Sequence, residues 1–328
     1  LYLVTRNYRE ALSTLENIKK RTPAQNEIYQ KITYYRGLEL FADNQFFDAI
    51  GMFKKSAEHK SDELIAAGAT FWAGESYYRL GQYDQAVTYY RNFQNAPGAK
   101  NHTAYASASY NLGYAMLKQK NYSQAAQAFS RFIESRPADK KMLNDARLRQ
   151  ADAFFMQKQY QEAIAGYDQV IGAKAADGDY ALYQKSLSVG VTGNIRQKIA
   201  SLQKLVADFP KSPYNDDARF EIGQAQMTLN QHEEALQTFR KLVADHPNSS
   251  FVKRSLLNTG LIYYNTERNQ QALETFKKVV KDYPATPESR EALAVIKNIY
   301  VDMNQVDEYV AYSQDIPFAN ITRSEQDS

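Results

Sequence analysis

The sequence contains no cysteine. Disulfides, zinc–thiolate sites and cysteine nucleophiles are excluded together; the absence suits an oxidising compartment without requiring one. Charge of one sign is also missing: 40 Lys and Arg stand against 37 Asp and Glu, a net +3 over 328 residues, with no run of like charges. The strong basic field that grips nucleic acid is therefore absent, and no nucleic-acid partner is expected. No apolar run reaches the roughly 18 residues of a membrane-spanning helix. The first residues, LYLVTRNYREAL, lack the basic start, apolar stretch and small-residue cleavage site of a signal peptide, though a signal already removed would leave the same text. Histidine is scarce, with only His59, His102, His232 and His246. No HExxH, GxSxG or phosphate-cradling Gly-Lys loop occurs, so the sequence indicates no catalytic residues, no metal site and no cofactor.

What the chain has is tyrosine, 25 of them, and a skeleton that keeps returning. "GQYDQAVTYYRNF" (81–93), "KNYSQAAQAFSRF" (120–132), "KQYQEAIAGYDQV" (158–170), "NQHEEALQTFRKL" (230–242) and "NQFFDAIGMFKKS" (44–56) share one alanine flanked by apolar residues at helical spacing. The alanine falls at Ala11, Ala49, Ala86, Ala125, Ala163, Ala235 and Ala272, in steps of 38, 37, 39, 38, 72 and 37. Twelve residues earlier stand Gly37, Gly74, Gly113, Ala151, Gly223 and Gly260; twelve later stand Pro23, Pro137, Pro247 and Pro284. Pro210 locates a hidden copy inside the step of 72, with Lys198 as its marker, and one further step of 37 reaches Tyr309. Each copy reads as two helices joined by a short polar turn such as RLGQ (79–82). A glycine inside a helix costs about 1 kcal/mol against alanine. Its recurrence predicts a close crossing, Gly on the first helix against Ala on the second. The prolines are expected to end second helices, and Ser212-Pro213 and Thr286-Pro287 to cap and open first helices. "GAKAADGDY" (172–180) reads as a loop. If the Lys198 copy packs like its sisters, Lys198→Ala should be neutral or stabilising.

This joint pattern resembles the tetratricopeptide repeat over essentially the whole chain: the small residue, Tyr77 or Tyr263 a turn later, an aromatic opening the second helix (Phe46, Tyr83, Tyr122, Tyr160), the alanine, an aromatic four later (Phe53, Tyr90, Phe129, Tyr167, Phe239, Phe276), then proline. Lys198 and Tyr309 depart from it at the alanine, Asn269 and Val306 at the aromatic. The resemblance implies an all-α fold, a right-handed superhelical solenoid of antiparallel helix pairs, about eight repeats plus a partial N-terminal one. Residues 1–23 would be the second helix of a truncated repeat, with Leu1–Leu3 the tail of its first. Residues 24–321 would be a continuous solenoid with markers near 49, 86, 125, 163, 198, 235, 272 and 309, and 322–328 the start of a further repeat or a tail. The chain is thus expected to be part of a longer array.

Repeats of 37–39 residues, longer than the common 34 or so, look like those of tetratricopeptide lipoproteins and periplasmic proteins of Gram-negative envelopes, and the Tyr, Asn and Gln usage like repeat proteins of the Bacteroides group. The implied location is the periplasm or the outer membrane, with membrane association through a lipoprotein N-terminus outside this sequence; the cytoplasm is the alternative.

In this repeat type the first helices line a concave wall. The residues three before each small position would face it: Tyr34, Phe71, Tyr110, Leu148, Tyr183, Phe220 and Leu257. Tyr78, Tyr114, Phe155 and Tyr264 follow on the same stripe, with polar companions Lys31, Glu75, Asp145, Asp152, Asp217, Gln224 and Arg254. Such a stripe either packs between neighbouring first helices or offers contact area to a ligand. The leading expectation is a non-enzymatic scaffold that holds a peptide or protein partner. An aromatic groove for glycans in an outer-membrane uptake system, and the helical arm of a larger enzyme, stand as alternatives. His232 and His246 sit at repeat positions and read as packing residues.

Overall fold

The computed structural model describes residues 8–319, all of whose regular structure is helical. The segments 1–3 and 322–328, for which expectations were stated, lie outside these residues. The chain divides into two compact units, Leu1–Ala175 and Ala176–Ser328.

The first unit opens with α1 (Tyr8–Glu16). Four antiparallel pairs follow: α2 (Pro23–Ala42) with α3 (Phe46–Glu58), α4 (Glu63–Arg79) with α5 (Tyr83–Asn95), α6 (Tyr105–Lys118) with α7 (Tyr122–Glu134), and α8 (Lys140–Met156) with α9 (Tyr160–Gly172). The second unit contains α10 (Gly178–Val191) with α11 (Ile195–Asp208), α12 (Asn215–Thr228) with α13 (His232–Asp245), α14 (Val252–Asn265) with α15 (Asn269–Asp282), and α16 (Pro287–Asp302) with α17 (Val306–Gln314). The all-α array of helix pairs is as the repeat implies. Within each unit consecutive helices pack in chain order. All seven marker alanines are fully buried, and every expected aromatic, Phe46, Tyr83, Tyr122 and Tyr160, is the first residue of its second helix.

The crossing differs in one respect from expectation. The small residue of the first helix meets the aromatic four past the marker, not the marker alanine. A Cβ on Gly37 would stand 2.6 Å from the Phe53 ring, on Gly113 2.8 Å from Phe129, on Gly260 2.5 Å from Phe276. A planar ring lies flat on a helix only where no side chain intervenes. In the α8–α9 pair the roles invert: the first helix carries Ala151, and Gly166 on the second yields the space, a Cβ there falling 2.8 Å from that of Ala151.

Every pair turns between its helices through one backbone motif. The residue five before the marker has positive φ in all eight: Asn44, Gly81, Lys120, Lys158, Gly193, Asn230, Glu267 and Asn304. Its N–H bonds the carbonyl three back (Lys158 to Phe155, 2.9 Å), and the next N–H reaches five back (Gln159 to Phe154, 2.9 Å). This is the helix stop that satisfies orphan carbonyls with a left-handed residue.

Helix starts are capped from the sequence. Thr22 and Gln25 form a reciprocal capping box ahead of Pro23, and the Asp62 and Asp139 carboxylates accept from the first turns of α4 and α8. Thr286 caps α16 ahead of Pro287, as expected. Two proline expectations are corrected. Pro23 opens α2 rather than closing α1, which ends at Glu16. Ser212 does not cap α12, which begins at Asn215; its hydroxyl donates to Asp179 (2.6 Å) and accepts from the Tyr214 N–H.

The α10–α11 pair is irregular, with Ser186, Lys198 and Leu202 where most of its sisters have a small residue, Ala and an aromatic; α16–α17 departs as well, with Lys297, Tyr309 and Ser313 at those positions. Leu202 is fully buried. Lys198 lies over Gly190 and pairs with Glu221 on α12 at 2.5 Å. Its removal would strand a half-buried carboxylate; the copy does not pack like its sisters, the condition on which Lys198→Ala is expected to be neutral or stabilising. Trp72, the single tryptophan, lies on α4 with its ring edge-on to Phe41 (5.0 Å) and Phe71 (5.5 Å).

Candidate functional site

The stripe on the first helices divides by burial. Phe71 and Phe220 are 5% and 7% exposed, and Leu148 and Leu257 are buried completely or nearly so. Phe71 packs against Phe93 and Trp72, Phe220 stacks on Phe251 at 4.6 Å. These four are core. Tyr34, Tyr110 and Tyr183 are half-buried and keep ring area at the surface, as do Tyr78, Tyr114, Phe155 and Tyr264; Gln224 is exposed.

In the first unit, α4, α5 and α6 bring Glu75, Tyr78, Tyr90, Tyr110, Asn111 and Tyr114 around a cavity of about 240 Å³. Glu75 is its one acid. Its Oε1 accepts from the Tyr90 hydroxyl at 2.6 Å and from the Asn111 amide. Burial pushes the Glu75 carboxyl above its usual range; the bonds from Tyr90 and Asn111 and the charge of Arg79 act against that rise. Beyond the cavity wall the polar chain continues. The Tyr110 and Tyr114 hydroxyls both donate to Asp145 Oδ2, at 2.8 and 2.5 Å. Arg149 donates to the Tyr114 hydroxyl and to Asp152 at 2.9 Å, and lies 3.4 Å from Asp145. The Tyr167 hydroxyl donates to Asp152 at 2.8 Å. Burial, then the bond to Asp145, keeps Tyr110 protonated far above the ordinary phenol range. These tyrosines are held in their neutral, donating form, with hydroxyls directed at carboxylates and rings fixed in place.

In the second unit Tyr183 stacks on Tyr214 at 5.4 Å. Burial, with Asp217 and Glu221 adding to it, pushes Tyr183 up to about 12. Asp217 is itself raised by burial and by Asp216. Tyr264 donates to Asp302 at 2.9 Å, and in the first unit Phe155 lies edge-on to Tyr160. Tyr34 touches Tyr35 and Phe53.

Sequence reading named Glu75, Tyr78, Tyr110, Tyr114, Asp145 and Asp152 here, and the structure brings them to one stretch of the first unit. It missed Tyr90, Asn111, Arg149 and Tyr167. A signal for two of them was present. The residue four past the marker is Phe in four copies and Tyr in two, Tyr90 and Tyr167. Those are the two copies whose first helix carries an acid fifteen residues earlier, Glu75 and Asp152. Each hydroxyl exists to meet that acid. His246 lies with its ring nitrogen 3.2 Å from the Asn215 Oδ1, and His232 is the first residue of α13. Among the described residues no three His, Cys, Asp or Glu are grouped to hold a metal, and no helix is long and apolar enough to cross a membrane.

Comparison with known proteins adds the following. The tetratricopeptide repeat family model matches residues 217–249 and 254–286. The family described as the N-terminal domain of the ESX-1 secretion system protein EccA1 matches residues 1–165, just over half of the chain. The outer membrane protein assembly factor BamD of Pasteurella multocida is 26% identical over 171 residues, covering 51% of this chain and 56% of that protein. BamD of Rickettsia prowazekii is 31% identical over 123 residues, 34% of this chain and 49% of that one. The chain thus spans about half the length of the curated relatives it matches. The C-terminal part of a TPR repeat-containing protein from Cytophaga hutchinsonii shares the fold, with a TM-score of 0.62 at 17% identity over 79% of this chain and 99% of that one.

Proposed function

Because the chain belongs to the tetratricopeptide-repeat family, and its residues 1–165 to the family of the EccA1 N-terminal domain, we propose that it is a non-enzymatic scaffold that holds a protein or peptide partner on its first helices. One observation carries the reading: half-exposed tyrosines Tyr78, Tyr110 and Tyr114 at the cavity wall, two of them with hydroxyls fixed by Asp145. Fixed tyrosines give large contact area at little entropic cost, the property that makes aromatic residues binding hot spots. The likeness to an outer membrane protein assembly factor supports a place in the bacterial cell envelope. Glu75, whose carboxyl is raised by burial, is engaged by the Tyr90 hydroxyl and the Asn111 amide.

The test is cross-linked capture from the native envelope. Wild type is compared with a Tyr34→Ser/Tyr110→Ser/Tyr183→Ser variant and with Phe47→Ser, which alters an isolated ring 79% exposed on a second helix. A protein captured by wild type and by Phe47→Ser, and lost by the folded triple variant, is expected. Capture that ignores the triple variant would sink the reading.

A further inference from the structure

The geometry points to a finer property of that face: the cavity at Glu75 receives one organic ammonium group, the lysine side chain of a bound partner. This rests on the reading above that the first helices of the first unit hold a protein.

Size comes first. At about 240 Å³ the cavity lies below the roughly 300–1,000 Å³ of small-molecule pockets, and suits a single side chain. The wall chemistry then selects the charge. Four of the six lining residues are tyrosines, whose ring faces carry the negative end of the quadrupole and attract cations. The remaining charge is an acid. Both hydrogen bonds to Glu75, a lining residue of the cavity, fall on Oε1, and Oε2 accepts none.

No basic side chain lines the cavity. Arg79, one turn along α4, is exposed at the surface, and Arg149 is engaged by Asp145 and Asp152. A carboxylate ligand would meet Glu75 with no base in the cavity wall and only the exposed Arg79 acting on it from outside. The donors Tyr90 and Asn111 are already committed to Glu75, so a sugar hydroxyl finds few partners. The second unit shows the same match completed from within: there Lys198 reaches the first-helix acid Glu221 at 2.5 Å. At Glu75 the chain supplies no such lysine. An incoming ammonium would also reverse the burial effect on this carboxyl, since an opposite charge favours the ionised form.

The probe is Nα-acetyl-lysine methylamide, titrated into the full chain carrying ring-¹³C tyrosine and followed by NMR. Nε-acetylated lysine methylamide and methyl glucoside are the controls. Saturable shifts of the cavity tyrosines are expected with the lysine probe, and binding weaker by roughly tenfold or more for the acetylated probe, the consequence of losing a charge-assisted bond. Glu75→Gln keeps an acceptor for Tyr90 and Asn111 and should weaken the lysine probe by a similar factor. Should that variant fail to fold, the acetylated probe on wild type decides. Equal binding of the two lysine probes, a tighter response to methyl glucoside, or no saturable shift overturns the proposal. A cavity that ignores the amine while envelope capture still depends on the first helices defeats this inference alone. Capture that ignores them defeats the functional reading, whatever the amine does.

Discussion

Glu75 carries the clearest pH dependence. Burial holds its proton in the folded chain at pH values where the unfolded chain has already released it. The folded state therefore binds more protons, and stability falls as pH rises from the ordinary glutamate value of about 4.3 up to the raised folded value, then levels off. Glu75→Gln removes that loss. Melts across the acid-to-neutral range should show wild type losing ground to Glu75→Gln as pH rises; parallel curves would refute the assignment. Tyr90→Phe deletes one of the two donors to this carboxylate and should cost about 1–2 kcal/mol. Two marker substitutions separate the regular copies from an irregular one. Ala235 is fully buried, so Ala235→Glu should cost about 2–5 kcal/mol by burying a charge. Lys198→Ala should cost about 1 kcal/mol, the loss of a partly screened pair with Glu221. Thermal melts of both check the order; equal midpoints would contradict the packing described.

The recurring helix stop dominates at the level of the element. Its left-handed residue is Gly at Gly81 and Gly193 and Asn at Asn44, Asn230 and Asn304, the types that tolerate this conformation. Lys120, Lys158 and Glu267 tolerate it less well. Lys158→Gly with Glu267→Gly should therefore stabilise the chain, by about 0.5–1 kcal/mol per site, read as a rise in the denaturation midpoint. A fall would mean that these side chains make contacts worth more than the strain. The fixed spacing of small residue, alanine and aromatic made six of the eight helix pairs legible in the sequence, because each packing role falls on a residue type that few others can replace; α10–α11 was located by Pro210 and α16–α17 by the repeat step. The crossing partner was not legible: both Ala49 and Phe53 face the first helix, and only the geometry shows which of them Gly37 admits. The capping role of Thr22 and Pro23 was hidden because a proline two residues past one helix and at the first position of the next look the same in text. At the site, the acids and surface tyrosines could be read from the stripe, while Asn111 and Arg149 follow no repeat rule and needed the neighbouring helices in place.

Across the whole molecule the physics is that of repetition. Each pair buries its aromatics against its own first helix and the next pair in the unit, so stability is built from nearest-neighbour interfaces. Helices that bury few side chains should open first. Helix α17, nine residues long with Ser313 as its one buried residue, is expected to exchange its amide hydrogens well before α13, whose Ala235, Leu236, Phe239 and Leu242 are all buried. Hydrogen-exchange mass spectrometry gives the order, and equal protection would show that α17 is held by more than the described contacts.

The single tryptophan has an optical consequence. With the only indole of the chain on α4, among Phe41 and Phe71, emission excited beyond the tyrosine band arises from the first unit alone. Circular dichroism sums over every helix. Unfolding followed by both signals at once therefore needs no label to tell whether the surroundings of Glu75 and its cavity melt with the rest of the array or ahead of it.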